Sequence, residues 1–406
     1  MYPHFKHTVP ALALSLIALS TSSRAATYNW LATRPAGLGT GEGLFNRANY
    51  ATPEGGVNSA FTPTSADVIS LNTGARAATV NAAGTIGQLS IGSGYGVTNV
   101  NQTNGNILTI QSGGVADAGV QIQSGRTGNT NIHARVNFQG DVTIANNGDS
   151  RVRFGNPGDL ATPTGNGGIQ GSGTLAITKG TVLLGEYLAG GHTYSGAVTV
   201  TGSNSVLQVA GGGVFNTYSS LTVVAGASIT GGGTFGSADL SDGGRVSPGA
   251  EGGFGAGPNT LTFTNLLNLQ ATGLAVLDIR AAGTDSINVT AGTINLGGEL
   301  RLRLNSDYAG EGVYQLFTGL TPSSGNFDTV TIQTDANTVS AITLEDDNGD
   351  GQWDGYFASR GYGVSFDANT GLLNLTSIPE PHTFGLSLIA TGFLFLRRGR
   401  RQTSAL

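Results

Sequence analysis

The sequence predicts an all-β chain built as a right-handed parallel β-helix, a solenoid, and three observations carry that expectation. The first is composition. Glycine supplies 66 of the 406 residues, about twice its usual share of roughly 7%, with no collagen-like period. Apolar residues reach 38% and charged ones only 11%, with 16 Phe, 11 Tyr and abundant Val, Ile, Leu and Thr. That is too apolar for a disordered chain and favours strands joined by tight turns. The second is periodicity. Gln88-Leu89-Ser90-Ile91, Ile107-Leu108-Thr109-Ile110, Val120-Gln121-Ile122 and Asp141-Val142-Thr143-Ile144 set apolar residues two apart, on one face of a strand. The third is repetition. Leu175-Ala176-Ile177, Val198-Thr199-Val200 and Leu221-Thr222-Val223 recur at an interval of 23 residues, among glycine-rich corners such as Gly211-Gly212-Gly213 and Gly231-Gly232-Gly233. Coils of this length stack about 4.8 Å apart and line a continuous core with inward Val, Leu and Ile. Glycines take the positive-φ corners. A row of β-sandwiches is the alternative, but its strands would alternate direction at less regular intervals.

Taken in order, residues 1–25 read as a secretory signal helix. Lys6 with His4 and His7 gives a weakly basic start, Val9 to Leu19 is apolar, and Ser23-Arg24-Ala25 offers small residues at −3 and −1 for cleavage after Ala25. Such a segment implies the Sec export machinery and signal peptidase as partners. Residues 26–65, with Trp30, Phe45, Asn46 and Tyr50 among Gly and Pro, read as an N-terminal cap, because a terminal repeat needs a distinct outer face. Residues 66–247 hold the solenoid repeats. Residues 248–377 form a C-terminal β module with period-2 stretches such as Ala275-Val276-Leu277-Asp278-Ile279, Leu300-Arg301-Leu302-Arg303-Leu304 and Gly363-Val364-Ser365-Phe366.

Residues 378–406 differ from everything before them. Pro379, Glu380 and Pro381 precede an uncharged stretch from Phe384 to Leu396, followed by Arg397, Arg398, Arg400 and Arg401. As a helix that stretch measures about 20 Å, short against a bilayer core of about 30 Å. The uncharged sequence reaches back to Pro381 and the arginines can snorkel to headgroups, so residues 383–396 are expected to form a transmembrane helix with a cytoplasmic C-terminus. The order of the three parts resembles the PEP-CTERM sorting signal of exported Gram-negative proteins. The resemblance implies that Pro379, Glu380 and Pro381 are recognition residues for an exosortase and that the four arginines are a membrane-stop cluster. It further implies an inner-membrane-anchored precursor passed to the cell envelope, cell surface or extracellular matrix, in company with exopolysaccharide. Upstream, Gly171-Ser172-Gly173-Thr174-Leu175 and His192-Thr193-Tyr194-Ser195-Gly196 resemble the autotransporter-associated β-strand repeat. No barrel pattern follows it, so the tail stands where a barrel would.

Charge narrows the partners. The formal net charge is −6, but the two end segments hold six of the 19 basic residues and one of the 25 acidic ones, so the stretch between carries 13 basic against 24 acidic, a balance of −11. Such a domain repels phosphate backbones, which argues against nucleic acid and leaves divalent cations or neutral and surface glycans. There is no cysteine, which excludes disulfides and thiolate metal sites.

Few stretches suggest chemistry. Asp346, Asn348 and Asp350 occupy positions 1, 3 and 5 of a calcium-loop spacing, Gly351 position 6, Gln352 position 7 and Asp354 position 9, a pattern of hard oxygen ligands that fits Ca²⁺. Position 12 is Phe357 in place of the bidentate Glu, which leaves a solvated acidic turn as the other reading. Gly231-Gly232-Gly233-Thr234-Phe235-Gly236 matches G-x-G-x-x-G without a strand-then-helix context, so it reads as coil corners. Asp141, Asp149, Arg151 and Arg153 are the only mid-chain group to nominate for a polysaccharide lyase or glycosidase, the alternative function. The expectation is a non-enzymatic, exported structural or adhesive surface protein with no catalytic residues.

Overall fold

The structure, a computed structural model, describes residues 26–30, 50–51, 63–71, 78–80, 82–93, 99–102, 106–113, 115, 117–126, 128–148, 151–155, 167–185, 192–249, 258–305, 311–320, 325–334, 342–357 and 361–377. Every regular element among them is a strand. The expected signal helix at 1–25 and membrane segment at 383–396 lie outside the described residues. No helix among the described residues is long and apolar enough to cross a membrane.

Most strands pair in parallel with a strand one coil further along the chain, an arrangement consistent with a β-solenoid. Three ladders result. The first runs from Thr27–Trp30 through Val68–Leu71, Gln88–Ile91 and Gly119–Ile122 to Ala197–Thr201, Ser220–Val224, Ala238–Leu240, Leu266–Leu269 and Thr293–Asn295. The second runs from Ala78–Val80 to Ser205–Val209, Ser228–Gly231, Arg245–Pro248, Leu274–Arg280, Glu299–Leu304 and Thr329–Thr334. The third includes Val214–Phe215, Thr234–Phe235, Thr260–Phe263, Ser286–Val289 and Phe317–Thr318. Two long strands, Arg135–Asn146 and Gly168–Leu184, turn corners and belong to more than one ladder. Parallel stacking passes residues 247 and 248 without interruption.

The 23-residue repeat read from the sequence sits in register. Leu175 pairs with Val198 and Val198 with Leu221, and Ile177, Val200 and Val223 form the next column. All six side chains are buried. Each contributes about 1.5–3 kcal/mol by leaving water, an upper estimate because the unfolded chain already buries some surface. On the third ladder Phe215, Phe235 and Phe263 stack inward, the last two rings 5.7 Å apart and tilted by 22°. The residues that resemble the autotransporter repeat form a corner column. Gly173 has φ of 122° and lies over Gly140, while a Cβ on Gly196 would stand 2.1 Å from the Gly173 carbonyl oxygen. Only glycine lets the backbones approach so closely.

Both ends differ from the middle. At the N-terminal end Thr27–Trp30 is the first rung, and Asp67 ties it down by accepting from the Ala26 N–H at 3.0 Å and the Thr64 N–H at 2.8 Å. At the other end the chain changes direction. Gly312–Gln315, Leu372–Ser377, Tyr362–Asp367 and Gln352–Phe357 form a four-stranded antiparallel sheet. Phe366 from this sheet packs against Phe317 and Phe327, with ring centroids 6.2 and 6.0 Å apart, and so closes the coil core.

Candidate functional site

Parallel registry puts like positions of successive coils on top of one another, so outward side chains form columns as regular as the core. On the first ladder Thr143, Ala176, Thr199, Thr222, Asp239, Asn268 and Asn295 make one such column. At about 4.8 Å per rung it extends about 29 Å. Asn268 Nδ2 and Gln270 Nε2 both donate to Asp239 Oδ1, at 3.1 and 2.7 Å. Alongside, Thr174 Oγ1 donates to Asp141 Oδ1 at 2.5 Å. The third ladder carries a second column, Thr234, Thr262, Asn288 and Thr318, with Thr318 Oγ1 donating to Asn288 Oδ1 at 2.5 Å. These surfaces offer hydroxyls, amides and the Asp239 carboxylate in register, interrupted at Ala176.

The acidic segment forms a turn closed by its own backbone. Asp346 Oδ1 accepts from the N–H groups of Gly349 and Asp350 at 2.8 and 3.2 Å, and Oδ2 accepts from the Gly351 N–H at 3.0 Å and Asn326 Nδ2 at 2.7 Å. Desolvation raises the Asp346 pKa, but these bonds outweigh it and hold the carboxyl below its ordinary range. Asp350 Oδ1 accepts from the Gln352 N–H at 2.9 Å and Oδ2 from Asn348 Nδ2 at 3.0 Å. Asp354 stands exposed in the strand Gln352–Phe357, its backbone paired with that of Glu345. Among the described residues no group of three or more His, Asp or Glu converges as metal ligands.

Of the nominated catalytic group, Asp141 and Arg153 stand on different ladders: Asp141 faces outward on the first, whereas Arg153 lies on the second, beside Asn131 and Leu183. Asp149 lies outside the described residues. Arg151 and Arg153 flank the buried Val152 and so take the outward positions of that strand. His192 is buried between coils: its Nδ1 accepts from the Ile169 N–H at 3.2 Å and its Nε2 lies 3.3 Å from the Gly185 carbonyl. Burial pushes its pKa down to about 4 against the opposing pull of that carbonyl, so the ring is a neutral tie between rungs.

Sequence reasoning missed one cluster. Asp278, Arg280, Asp285 and Arg303 are all buried. Asp278 bonds Arg280 Nη2 at 2.6 Å and Arg303 Nε at 2.5 Å, and Arg280 Nη2 lies 4.0 Å from Asp285. Burial, reinforced by the charge of Asp278, raises the Asp285 pKa to about 6, although N–H bonds from Asn259 and Asp278 pull the other way. The alternation in Leu274–Arg280 places these charges outward, where a solvated face is the ordinary expectation.

The expected cleavage residue Ala25, the motif Pro379, Glu380 and Pro381, and the cluster Arg397, Arg398, Arg400 and Arg401 lie outside the described residues. Comparison with family models, with curated proteins and with solved structures found no match.

Proposed function

We propose that this chain is an exported, non-catalytic surface or matrix protein whose right-handed parallel β-helix is a rigid rod presenting polar columns to exopolysaccharide or surface glycans. The observation that carries the reading is the seven-rung outward column from Thr143 to Asn295, continuous over the corresponding coils. A folded rod of this kind pays the entropy of ordering in advance, so each contact along it adds to binding. The two ends support the same reading: residues 1–25 read as a signal for Sec and signal peptidase, and the tail's resemblance to a PEP-CTERM signal supplies transient anchoring at 383–396 and hand-over by an exosortase.

We propose the acidic loop as a structural turn, because Asp346 accepts from three backbone N–H groups and Asn326; calcium held by Asp346, Asn348, Asp350, Gln352 and Asp354 is the other reading, compatible with the same bonds. The delivery reading is tested by expressing the full chain and a form lacking residues 378–406 in a Gram-negative host that carries an exosortase. The full chain is expected in the envelope or matrix fraction and the shortened form in the medium or periplasm; identical fractionation would overturn the reading. Incubation with extracellular polysaccharides is expected to leave their length unchanged, and depolymerisation would make the chain an enzyme instead.

A further inference from the structure

We propose that the outward face of the closing antiparallel sheet binds a neutral glycan chain, with Tyr356 as its stacking platform; this rests on the glycan-associated reading above and gives it a site. Among the described residues three large apolar side chains are notably exposed, and two of them, Val313 at 65% and Tyr356 at 49%, stand on this face. The alternation fixes which side chains point out. Trp353, Val364, Phe366, Leu373 and Leu375 are buried against the coil core, so Asp354, Tyr356, Ser365, Asn374 and Thr376 project the other way.

Register then shapes the surface. Tyr356 lies opposite Gly363, and Gly363 opposite Thr376. Two strand spacings separate the tyrosine from the threonine, about 10 Å, and the position between them has no side chain. The result is a shallow trough with an aromatic wall, a backbone floor and a hydroxyl wall. The neighbouring row sets Asp354, Ser365, Asn374 and Val313 side by side. A sugar ring presents an apolar C–H face and a rim of hydroxyls, which suits an aromatic ring beside a carboxylate, a hydroxyl and a carboxamide. Glu345 pairs with Asp354 across the sheet edge, and none of the strands of this face carries Lys or Arg. Carboxylates without cations accept from O–H donors and repel polyuronates and anionic lipid. That charge pattern selects a neutral glycan.

The experiment is affinity electrophoresis of the detergent-solubilised full chain in gels containing dextran, galactomannan or polygalacturonate, with size measured by light scattering. At least one neutral polymer is expected to retard the protein, and polygalacturonate is not. Tyr356→Ala is expected to weaken retardation about tenfold, the scale of one lost stacking contact, while Tyr356→Phe keeps it. Gly363→Thr fills the trough with a residue that strands accept, and is expected to weaken binding comparably at unchanged melting temperature. Equal retardation of wild type, Tyr356→Ala and Gly363→Thr, a preference for polygalacturonate, no neutral retardation at all, or a Tyr356-dependent dimer would each overturn the proposal. Recovery of the wild-type chain with the cells' own matrix separates the two readings. If the matrix retains the protein but the variants change nothing, the site fails and the envelope reading stands. If the matrix does not retain it, the broader reading fails as well.

Discussion

Asp278→Asn removes one charge from a buried set of four. In the wild type the Asp278 carboxylate faces two guanidinium groups, at 2.6 Å to Arg280 and 2.5 Å to Arg303, and is 1% exposed. Asparagine keeps the shape and one acceptor, so the loss is electrostatic: two buried cations face a neutral amide, and the next carboxylate, Asp285, is 4.0 Å from Arg280. Removing one partner of a buried pair costs about 3–5 kcal/mol, and the residual help from Asp285 puts the expectation near the lower end, about 3 kcal/mol. In a stacked array such a loss is felt locally, so amide hydrogen exchange read by mass spectrometry is the assay. Peptides covering Leu274–Arg280 and Glu299–Leu304 should exchange about a hundredfold faster, and those around Leu175–Ile177 should be unchanged. Glu299→Gln is the control. Its pair with Arg301, 2.9 Å long, is about one-third exposed on both sides, and solvated pairs contribute no more than about 1 kcal/mol. Equal exchange in the two variants would refute the reasoning, because burial would then not be what gives Asp278 its weight.

Further outcomes follow from the same geometry. His192, pushed down to about 4, takes up its proton more readily in the unfolded chain, so its contribution is intact above pH 6.5 and is lost as pH falls toward 4. Asp285, raised to about 6, has the opposite sign: stability is greatest with its proton bound below pH 4 and declines as pH rises through 6. Each effect is worth about 3 kcal/mol at most. Relative to wild type, urea midpoints should therefore rise toward acid in His192→Gln and fall toward acid in Asp285→Asn; parallel difference profiles in both would contradict the assignment. Gly196→Val drives a side chain into the Gly173 carbonyl and should cost more than about 3 kcal/mol. Gly211→Ala, with open space around it, should stay within about 1 kcal/mol, both read from melting curves. Millimolar calcium should leave the melting temperature within about 1 °C; a larger rise that Asp346→Asn abolishes would make the acidic turn a metal site.

Much of the coil stack was legible because burial and spacing are written locally. Leu175, Val198 and Leu221 alternate with polar neighbours and recur at one interval, and those two facts suffice to place them in one inward column. Direction is less legible. Gly363-Val364-Ser365-Phe366 has the same period as a coil rung, yet its strand pairs antiparallel, because period 2 distinguishes faces and not strand polarity. The interval also drifts: Thr222 pairs with Asp239, 17 residues on, and Asp239 with Asn268, 29 residues on, so no fixed repeat marks the later coils. The charged cluster was invisible for a different reason. Asp278, Arg280 and Arg303 sit where alternation points outward, and only the tertiary arrangement removes them from water. The Asp346 turn is open to two readings in the sequence, since ligand-like spacing and Asx-type self-bonding use the same Asp and Asn residues at the same separations.

The reversal of strand direction at the C-terminal end has a consequence for assembly. A parallel stack ends in a row of unpaired backbone groups, and a second stack could dock there and continue the ladder without limit. Here Thr329–Thr334 receives Ile342–Thr343 in the antiparallel sense, and the four-stranded sheet lies over the last aromatic layer. Two residues of the second ladder's last rung, Thr331 and Ile332, are thereby paired. An end finished in this way disfavours tip-to-tip docking of a second stack at that rung.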